Sequence, residues 1–422
     1  MSTDPPLILT LLWIAWATQA VLSTHVVWFF SLRVRGRSRP VPDHDHPHAA
    51  VIMPVKGRDE HLQQTVEMLC RQDYDDYRVV IVVESQDDPA YAVVRDTLAR
   101  FVDRRSDLLV SGTPVADEGP KTHNQICAMD HLLPDADDRD VWVFADSDAV
   151  PDNTWLTRMI SPLCRKGRYG VTTGYRWLIP QDGDTANFWT QMASVINSSV
   201  ACMFGQTWRN HAWGGSMALR VELARRGDLR NRFVGVLCED YVLDRMAREL
   251  GEKVRFVPQG LIASQARFTR RSFFEFAHRQ YLFTRVYRPG LYWTALGLML
   301  LYMAGFVSAW SYLAWVVLTQ RPAMIGFPAV MAMIGFPAVM VLSVLVANHL
   351  RAWRRRCAIR HVFDEPVLDQ LRAAMRWDRW GTVVWMTIHL LLVLRALCGR
   401  RLTWRGTRYR IPAPNRTQRL EG

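Results

Sequence analysis

Lysine is scarce in this chain of 422 residues, and cysteine motifs for metals and glycine motifs for nucleotides are missing. The 52 basic residues include only four lysines, at positions 56, 121, 166 and 253, so 48 are arginines. The seven cysteines are scattered without a CxxC pair or Cys/His metal spacing, which indicates reduced thiols in a cytoplasmic compartment. A Walker loop and a GxGxxG turn are both missing, which argues against a P-loop enzyme and a dinucleotide-dependent oxidoreductase.

Positive charge is concentrated at one end of the chain. The formal net charge is +12, and residues 351–422 hold 16 arginines against five acids, or +11. The remainder is therefore nearly balanced. Because the basic segment adjoins strongly apolar stretches, it is typical of a flank that faces anionic lipid. We therefore expect a membrane as a partner and no nucleic acid, and no feature predicts an oligomeric state.

Long apolar runs occur near both ends. LILTLLWIAWATQAVLSTHVVWFFSL, residues 7–32, is long enough to cross a hydrocarbon core of about 30 Å and is followed by RVRGRSR. These arginines predict that the amino terminus lies outside and that the chain from Arg33 is cytoplasmic. Residues 291–318 and 325–347 are two further span candidates, and the second overlaps a tandem repeat of AMIGFPAVM at 323–331 and 332–340. The shorter run 380–398 could span, re-enter or lie in the interface.

These runs divide the chain into five parts. We predict a transmembrane anchor (1–32), a basic linker (33–49), a cytoplasmic catalytic domain (50–288), a membrane region (289–398) and a basic cytoplasmic tail (399–422). If the catalytic domain and the tail both lie in the cytoplasm, the chain crosses an even number of times between them, so we expect 380–398 not to cross fully. The predicted location is a bacterial inner membrane, as a multi-pass protein.

Short apolar strands alternate with helical patterns in the middle of the chain. Strands are predicted at 49–55, 77–85, 107–112 and 141–148, and helices at 61–72, 89–103 and 122–133. This alternation, with near-continuous Val and Ile runs, indicates a mostly parallel sheet with helices on both faces. In such sheets ligands bind at the carboxyl ends of the strands.

Two of the predicted strands end in acidic clusters. ESQDDP, residues 84–89, follows one strand, and Asp146 and Asp148 end another. Crowded carboxylates repel unless a cation or a proton lies between them, and ligation by oxygen favours Mg²⁺ or Mn²⁺ over zinc. A solvated turn is the alternative, since Asp also favours turns. Glu239 and Asp240 begin an amphipathic helix, where they are either functional or simple helix caps.

The order of the motifs resembles the family 2 type nucleotide-sugar glycosyltransferases, closest to the ceramide glucosyltransferase-like branch. The matching motifs are PVKGRDEHL, ESQDDPA, GPKTHNQ, FADSDAVPD, WGGSM, CEDYVLDRMAREL and LTWRGTRYRI. They cover most of residues 50–290 and the tail, and their shared order is more specific than any one of them. The resemblance implies a GT-A-like α/β fold, flanked by one N-terminal and two to three C-terminal membrane helices.

The resemblance also implies a role for each motif. Asp240 would be the general base and Glu239 would orient it, while Asp146 and Asp148 would bind Mg²⁺ or Mn²⁺ at the donor diphosphate. The donor-binding residues would be Lys56, Asp87, Asp88, Lys121, Asn124 and Asp146. The acceptor-binding residues would be Gly214, Gly215, Ser216, Arg279, Gln280 and Arg285. His278 is a rival base on generic chemical grounds.

One segment departs from the family pattern. The family has Gln or Arg, two residues and then Arg-Trp, whereas this chain has FAHRQYLFTRVY, with Leu282 and Phe283 in the Arg-Trp positions. We hypothesise that Gln280 and Arg285 substitute for the missing pair. The alternative interpretation is an interfacial amphipathic helix, aromatic on one face and basic on the other.

The motifs together predict a membrane-bound, metal-dependent, inverting hexosyltransferase. It would transfer a hexose, with glucose as the leading choice, from a UDP-sugar to a lipid hydroxyl at the cytoplasmic leaflet. Two alternatives stay open at this point. One is a processive polysaccharide synthase, which would have more spans and an intact Gln-x-x-Arg-Trp. The other is a catalytically degenerate membrane scaffold, which only the lost Arg-Trp suggests.

Overall fold

A computed structural model describes residues 5–36, 46–114, 117–164, 169–205, 210–319 and 327–420, without the side chains of residues 327, 329 and 332. Several predicted features fall partly outside these residues. They are positions 1–4 of the anchor, 37–45 of the basic linker, 325–326 of the second C-terminal span, 323–326 of the AMIGFPAVM repeat and 421–422 of the tail.

A seven-stranded sheet forms the centre of the catalytic domain. Its strands are β1 (Ala49–Pro54), β2 (Tyr77–Val83), β3 (Ser106–Val110), β4 (Val141–Ala145), β5 (Val171–Pro180), β6 (Ser216–Arg220) and β7 (Val254–Ala266). The strand order is β3-β2-β1-β4-β6-β5-β7, and β6 alone runs antiparallel to its neighbours. The predicted mostly parallel α/β sheet is confirmed, and the first four strands lie where the apolar runs placed them.

Helices pack on both faces of this sheet, as predicted. The helices before the membrane region are α1 (Leu7–Arg35), α2 (Leu62–Cys70), α3 (Pro89–Leu98), α4 (Pro120–Leu132), α5 (Trp155–Ile160), α6 (Phe188–Ala201), α7 (Val221–Arg226), α8 (Leu229–Arg232), α9 (Glu239–Glu249) and α10 (Arg270–Tyr287). Successive side chains of a strand point to opposite faces. Val51 and Met53 therefore join the core beneath α2, α3 and α5, while Ala50 and Ile52 join the core beneath α4 and α9.

The C-terminal part begins with long apolar helices. Its helices are α11 (Pro289–Thr319), α12 (Phe327–Ile359), α13 (Glu365–Gln370), α14 (Arg372–Trp380) and α15 (Thr382–Arg395). By length and composition, α1, α11 and the Met333–Ile359 part of α12 could each cross a membrane. These three helices pack together through Trp13 and Trp16 of α1, which contact Tyr312 and Tyr302 of α11. Helix α15 is shorter, with 14 residues.

The tail forms a small sheet, which the prediction of a basic tail did not include. Its strands β8 (Arg401–Trp404), β9 (Thr407–Ala413) and β10 (Arg416–Leu420) pair antiparallel in the order β10-β9-β8. Leu402, Tyr409 and Ile411 are buried against α10 and the segment before α9. Alternation explains this, because the arginines of β9 point outward while Tyr409 and Ile411 point inward. The tail is therefore part of the catalytic body.

Candidate active site

A cavity of about 1550 Å³ lies where the carboxyl ends of the strands meet the membrane helices. Its walls near the sheet include Lys56, Lys121, Asp146, Asp148 and Asp240. From there it continues between α6 and α10 and reaches α1, α11, α12 and α15. The predicted acidic edge and the membrane helices therefore share one cavity.

Lys121 connects the second and third acidic motifs. It lies in the first turn of α4, and its Nζ is 2.5 Å from Asp146 Oδ1 and 2.6 Å from Glu239 Oε1. Burial acts to lower the pKa of Lys121, but the negative charges of Asp146 and Glu239 outweigh burial and raise this pKa. Lys121 is therefore a fixed cation beside the acidic residues, where it can meet a phosphate oxygen.

Arg176 on β5 is a second cation at this point, and no sequence motif indicated it. Its Nη2 lies 3.0 Å from Asp146 Oδ2, and its Nη1 lies 3.2 Å from Asp148 Oδ2. Burial acts to raise the pKa of Asp146, but Lys121 and Arg176 outweigh it and lower this pKa. Asp146 is therefore an ionised carboxylate held between two cations.

Asp146 and Asp148 lie together as predicted for a metal site. Within the described ranges, no group of three or more His, Cys, Asp or Glu side chains could hold a metal ion. Mg²⁺, however, is commonly bound by only one or two carboxylates and completes its shell with water and substrate phosphates. The two carboxylates fit a cation of this kind, which would supply positive charge for a nucleotide diphosphate.

Asp240 and Glu239 lie in the first turn of α9, and the Asp240 carboxylate has partners both inside and outside that turn. The N-cap position belongs to Cys238, which makes no side-chain capping hydrogen bond. Asp240 accepts hydrogen bonds from the Tyr241 amide at 2.7 Å, the Cys238 thiol at 2.9 Å and the Gly214 amide at 3.4 Å. Burial raises the pKa of Asp240, and it raises the pKa of Glu239 to about 7. Asp240 therefore lies in the cavity wall with a carboxylate of increased basicity.

The WGGSM motif brings backbone close to the charged groups. A Cβ at Gly214 would lie 2.0 Å from Glu239 Oε1, and a Cβ at Gly215 would lie 2.6 Å from Asp146 Oδ2, so a side chain at either position would displace a carboxylate of the site. Gly214 lines the cavity, whereas Gly215 and Ser216 do not belong to its wall. Ser216 is fully buried, and its Oγ accepts a hydrogen bond from the indole of Trp155 at 2.8 Å. This places Ser216 apart from the acceptor-binding position that the motif implied.

Two of the predicted donor residues line the cavity near the ends of β1 and β2. The Nζ of Lys56 lies 2.8 Å from Glu84 Oε1. Asn124 is buried, and its Nδ2 donates to the carbonyls of Val82 at 3.0 Å and Val55 at 3.3 Å. Asn124 therefore ties α4 to the ends of two strands and shapes the floor of the cavity.

The first acidic motif lies outside the cavity wall. Asp88 caps α3 by accepting from the Ala90 amide at 2.8 Å, and both of its oxygens accept from the Gly57 amide at 3.0 Å. Asp87 is exposed, and its amide donates to the Ser85 hydroxyl at 3.0 Å. In this structure Asp88 therefore positions the turn that follows Lys56, and the predicted donor contact of Asp87 and Asp88 is separate from the cavity.

The residues of α10 that were expected to bind the acceptor lie in two different places. Arg279 and Gln280 line the cavity, and burial, with the charge of Arg176, lowers the pKa of Arg279 to about 10. Arg285 instead points to the segment that joins α15 to the tail, where it donates to the Leu397 carbonyl at 2.7 Å and to the Gly399 carbonyl. The hypothesis that Arg285 acts beside Gln280 in the site is therefore not supported by its position.

The two residues that stand in the Arg-Trp positions of the family pattern belong to a buried apolar cluster. Leu282 and Phe283 are buried and pack with Leu402, Tyr409 and Ile411 of the tail sheet. An arginine at position 282 would bury an unpaired charge in this apolar contact. The departure from the family pattern thus coincides with the surface on which the tail sheet packs.

The tail supplies a tryptophan and an arginine to the cavity wall at the β8–β9 turn. Arg279 lies over the ring of Trp404 with 5.2 Å between guanidinium and ring centre. Arg405 pairs with Asp59 at 2.9 Å and also donates to the Lys56 carbonyl. The LTWRGTRYRI motif signalled this segment, but Trp404 and Arg405 were not among the predicted site residues. Only the fold brings them to the site.

His278 is poorly placed as a rival base. It does not belong to the cavity wall, and its Nε2 donates to the Arg401 carbonyl at 3.1 Å. Burial lowers the pKa of His278. Asp240 is therefore the better candidate by position.

The motif resemblance is confirmed by comparison with known proteins. The family model described as "Glycosyl transferase family 21" matches residues 9–417. Ceramide glucosyltransferase 1 of Caenorhabditis elegans is 29% identical over 104 residues, which is 25% of this chain and 22% of that protein. The ceramide glucosyltransferase of Gibberella zeae is 26% identical over 196 residues, which is 41% of this chain and 35% of that protein. The matches thus span about a fifth and a third of these relatives.

Two solved structures show a weaker likeness. A mannosyltransferase from Pyrobaculum calidifontis, in complex with GDP-mannose and Mn²⁺, is 15% identical with a TM-score of 0.46 and covers 92% of this chain and 99% of its own. Glucosyl-3-phosphoglycerate synthase from Mycobacterium tuberculosis, in complex with Mn²⁺, UDP and phosphoglyceric acid, is 14% identical with a TM-score of 0.35. That likeness covers 56% of this chain and 78% of the synthase.

Proposed function

The chain belongs to glycosyl transferase family 21, and from this premise we propose that it transfers a hexose from a UDP-sugar to a lipid hydroxyl. One observation supports the lipid acceptor above all others. The cavity that holds Lys121, Asp146 and Asp240 continues to the three helices that could cross a membrane. The relatives named as ceramide glucosyltransferases favour glucose as the sugar. We propose that the catalytic domain faces the cytoplasm, since the arginine-rich segments flank the apolar helices on its side.

Asp240 is the proposed general base. As the carboxylate of Asp240 takes the proton of the acceptor hydroxyl, the acceptor oxygen bonds to the anomeric carbon of the sugar. The bond between that carbon and the diphosphate oxygen breaks, and its electron pair leaves with UDP. A single displacement of this kind inverts the anomeric configuration. The raised pKa of Asp240 supports this role, because it makes the carboxylate a better proton acceptor.

The departing diphosphate needs positive charge around it. Lys121, Arg176 and Arg279 all line the cavity and can donate hydrogen bonds to phosphate oxygens. Glu239 would act as a positioning residue, since it holds the Nζ of Lys121 at 2.6 Å. Mg²⁺ or Mn²⁺, when bound by Asp146 and Asp148, would add charge neutralisation at the diphosphate.

The lipid chains would lie in the apolar part of the cavity. Its walls there are formed mainly by aromatic and aliphatic residues of α6, α10 and α11, namely Ile196, Val200, Phe273, Phe276, Leu291, Ala295, Leu298 and Met299. An acceptor in this space would have its hydroxyl near Asp240 and its chains toward the membrane helices. This arrangement favours a single lipid acceptor over a growing polysaccharide. The contacts among Lys121, Asp146 and Glu239 favour an enzyme over a degenerate scaffold.

Incubation of membranes that contain the protein with radiolabelled UDP-sugars, followed by lipid extraction, tests the proposal. We expect UDP-glucose to give a labelled, lipid-soluble product whose formation stops when a chelator removes Mg²⁺ and Mn²⁺. Labelled polymer would instead support the polysaccharide synthase. The absence of labelled product with every UDP-sugar and lipid extract would support the scaffold.

A further inference from the structure

The part of the cavity wall that α12 forms contains a pair of buried arginines. Arg351 and Arg355, one turn apart on α12, both line the cavity, and their exposed fractions are only 7% and 4%. Both pair with the same carboxylate, Asp378 of α14. Arg355 Nη1 lies 2.9 Å from Asp378 Oδ2, whereas Arg351 Nη2 is 3.9 Å from Asp378 Oδ1. The three side chains therefore bring a formal charge of +1 into the cavity wall.

Arg351 is the loosely held member of this cluster. Besides its distant contact with Asp378, it lies 3.5 Å from the Thr382 hydroxyl and 5.2 Å from the centre of the Trp385 ring. Its Nε has no hydrogen-bond partner within the part of the chain that the structure describes, and neither does the Nε of Arg355. A buried guanidinium that is incompletely paired is costly, and charged groups among membrane helices usually serve a ligand or a partner.

The cavity is also open on the side of α1 and α11. Leu22 and Phe29 of α1 and Leu298 of α11 line it and are 58%, 41% and 47% exposed. Their exposed surface would face lipid in a membrane, so the bilayer has access to the cavity from this side. A lipid that entered there would meet the apolar walls with its chains and could reach Arg351 with a polar group.

We propose that Arg351 and Arg355 bind the anionic group, a phosphate or a carboxylate, of a lipid inside the cavity. Guanidinium groups match both anions, because their N–H donors form paired hydrogen bonds with two oxygens. The inference rests on the proposed function in one respect, namely that a lipid occupies the cavity. The anionic lipid is either the sugar acceptor itself or a bilayer phospholipid that is bound beside the acceptor.

Lipid retention by the purified full-length protein tests the site. Phosphatidylglycerol serves as the anionic probe and phosphatidylcholine as the neutral probe, and native mass spectrometry measures how much of each stays bound in detergent. We expect the wild type to retain the anionic probe in preference, and Arg351→Gln to reduce this preference about tenfold. The fold should persist, because Asp378 keeps its 2.9 Å contact with Arg355. Arg351→Lys keeps the charge but loses the paired donors, so it should restore only part of the preference.

Arg354→Gln is the matched control. It removes one positive charge from the same helix, but Arg354 does not line the cavity and instead donates to the Thr24 carbonyl at 3.4 Å. Equal retention by Arg351→Gln and wild type overturns the proposal, and so does an equal loss in Arg354→Gln. If Arg351→Gln fails to fold, Asp378→Asn is the second test, because it removes the negative charge of the cluster and leaves both arginines. It raises the charge of the cluster to +2 and must strengthen retention for the proposal to stand.

A transfer assay with the same lipids separates the two sources of the anion. Sugar on phosphatidylglycerol identifies the anionic lipid as the acceptor, whereas sugar on neutral diacylglycerol beside unmodified phosphatidylglycerol identifies it as a resident phospholipid. Both results support the site when retention depends on Arg351. Retention that depends on Arg351 without transfer to any lipid contradicts the proposed function and leaves the site standing. Transfer to lipid without such retention contradicts the site and leaves the proposed function standing.

Discussion

Asp240 and Glu239 are neighbours in the chain, yet their side chains have different partners. Asp240 is held by two backbone amides and a thiol, while Glu239 forms an ion pair with Lys121. A base has to accept a proton from a substrate, and a positioning residue has to hold its partner in place. These different partners suit the two roles proposed for them, and both residues can be tested by single substitutions.

Asp240→Asn should slow sugar transfer by at least about a hundredfold. The amide keeps the size and most hydrogen bonds of the carboxylate but cannot take a proton. Folding and metal-dependent binding of the UDP-sugar should stay near normal. Initial rates of lipid glycosylation, measured beside UDP-sugar binding by calorimetry, check this. Transfer at a near wild-type rate would show that the base lies elsewhere, with Glu239 as the next candidate.

Asp148→Asn should abolish turnover and weaken UDP binding only in the presence of Mn²⁺ or Mg²⁺. The carboxylate of Asp148 would share the cation with Asp146, so its loss removes a ligand but leaves Lys121 in place. UDP affinity of the wild type and the variant, each measured with Mn²⁺ and with chelator, checks this. If wild-type UDP affinity is the same in both conditions, the metal assignment is wrong.

Glu239→Gln should change how stability depends on pH. The pKa of Glu239 is raised from 4.5 to about 7 in the folded protein, and burial of the carboxylate is the largest cause. The folded state therefore binds a proton more tightly than the unfolded state does. The contribution of Glu239 to the free energy of unfolding is full below pH 4.5 and is lost as the pH rises toward 7. The Tm of Glu239→Gln minus the Tm of wild type should therefore increase as the pH rises from 4.5 to 7.

Thermal scans of the detergent-purified protein across this range measure the effect. The matched control is the same substitution at Glu222, whose side chain is 42% exposed and pairs with Arg226 at 3.3 Å. A difference in Tm between wild type and Glu239→Gln that does not vary with pH would contradict the prediction.

At the scale of elements, the tail sheet and α10 act together. Apolar residues of α10 support the sheet, and the turn between β8 and β9 reaches the cavity beside Lys56. Asp59 links this turn to the second acidic motif, since it pairs with Arg405 and accepts from the Ser147 hydroxyl at 2.6 Å. The turn is thus connected to Lys56 and to the second acidic motif.

Arg405→Gln should raise the KM for the UDP-sugar about tenfold with a smaller change in kcat. The change removes the ion pair to Asp59 that positions Trp404 and the turn after Lys56. Steady-state kinetics at saturating lipid acceptor measures both constants, and Arg405→Lys should partly restore the KM. Arg408→Gln is the control, because Arg408 is exposed on the same sheet. An equal effect of both glutamine variants would show a general loss of charge and no specific role of the turn.

At the scale of the whole molecule, the tail and the catalytic domain must lie on the same side of the membrane. The Thr417 hydroxyl is buried and donates to the Gly235 carbonyl at 2.8 Å. Helix α15 has 14 residues, which at 1.5 Å per residue gives about 21 Å against a hydrocarbon thickness of about 30 Å. Both features agree with the expectation that residues 380–398 do not cross fully.

Cysteine labelling tests this topology. Single cysteines at exposed Arg419 in the tail and exposed Val102 in the catalytic domain should react with an impermeant maleimide from the same side. The background carries Cys398→Ser, because Cys398 is the exposed native cysteine. Opposite accessibility of the two positions would mean that 380–398 crosses.

Much of the fold was determined locally and could be predicted from the sequence. Strand and helix alternation placed β1 to β4 and the helices between them, because apolar periodicity reflects which faces of an element are buried. The same reasoning identified the apolar helices α1 and α11. Asp146 and Asp148 were found because a parallel sheet brings strand ends to one edge, whereas Asp240 was identified by the motif resemblance.

Tertiary structure alone decided which distant residues complete the site. Arg176, Trp404 and Arg405 reach the cavity because β5 and the tail sheet fold beside the acidic edge, and no local pattern encodes that approach. Packing also separated Ser216 and Arg285 from the positions that their motifs implied, since one is buried beneath Trp155 and the other holds the tail connection. A motif determines which chemical groups are present, whereas contacts between residues far apart in sequence determine which of them meet.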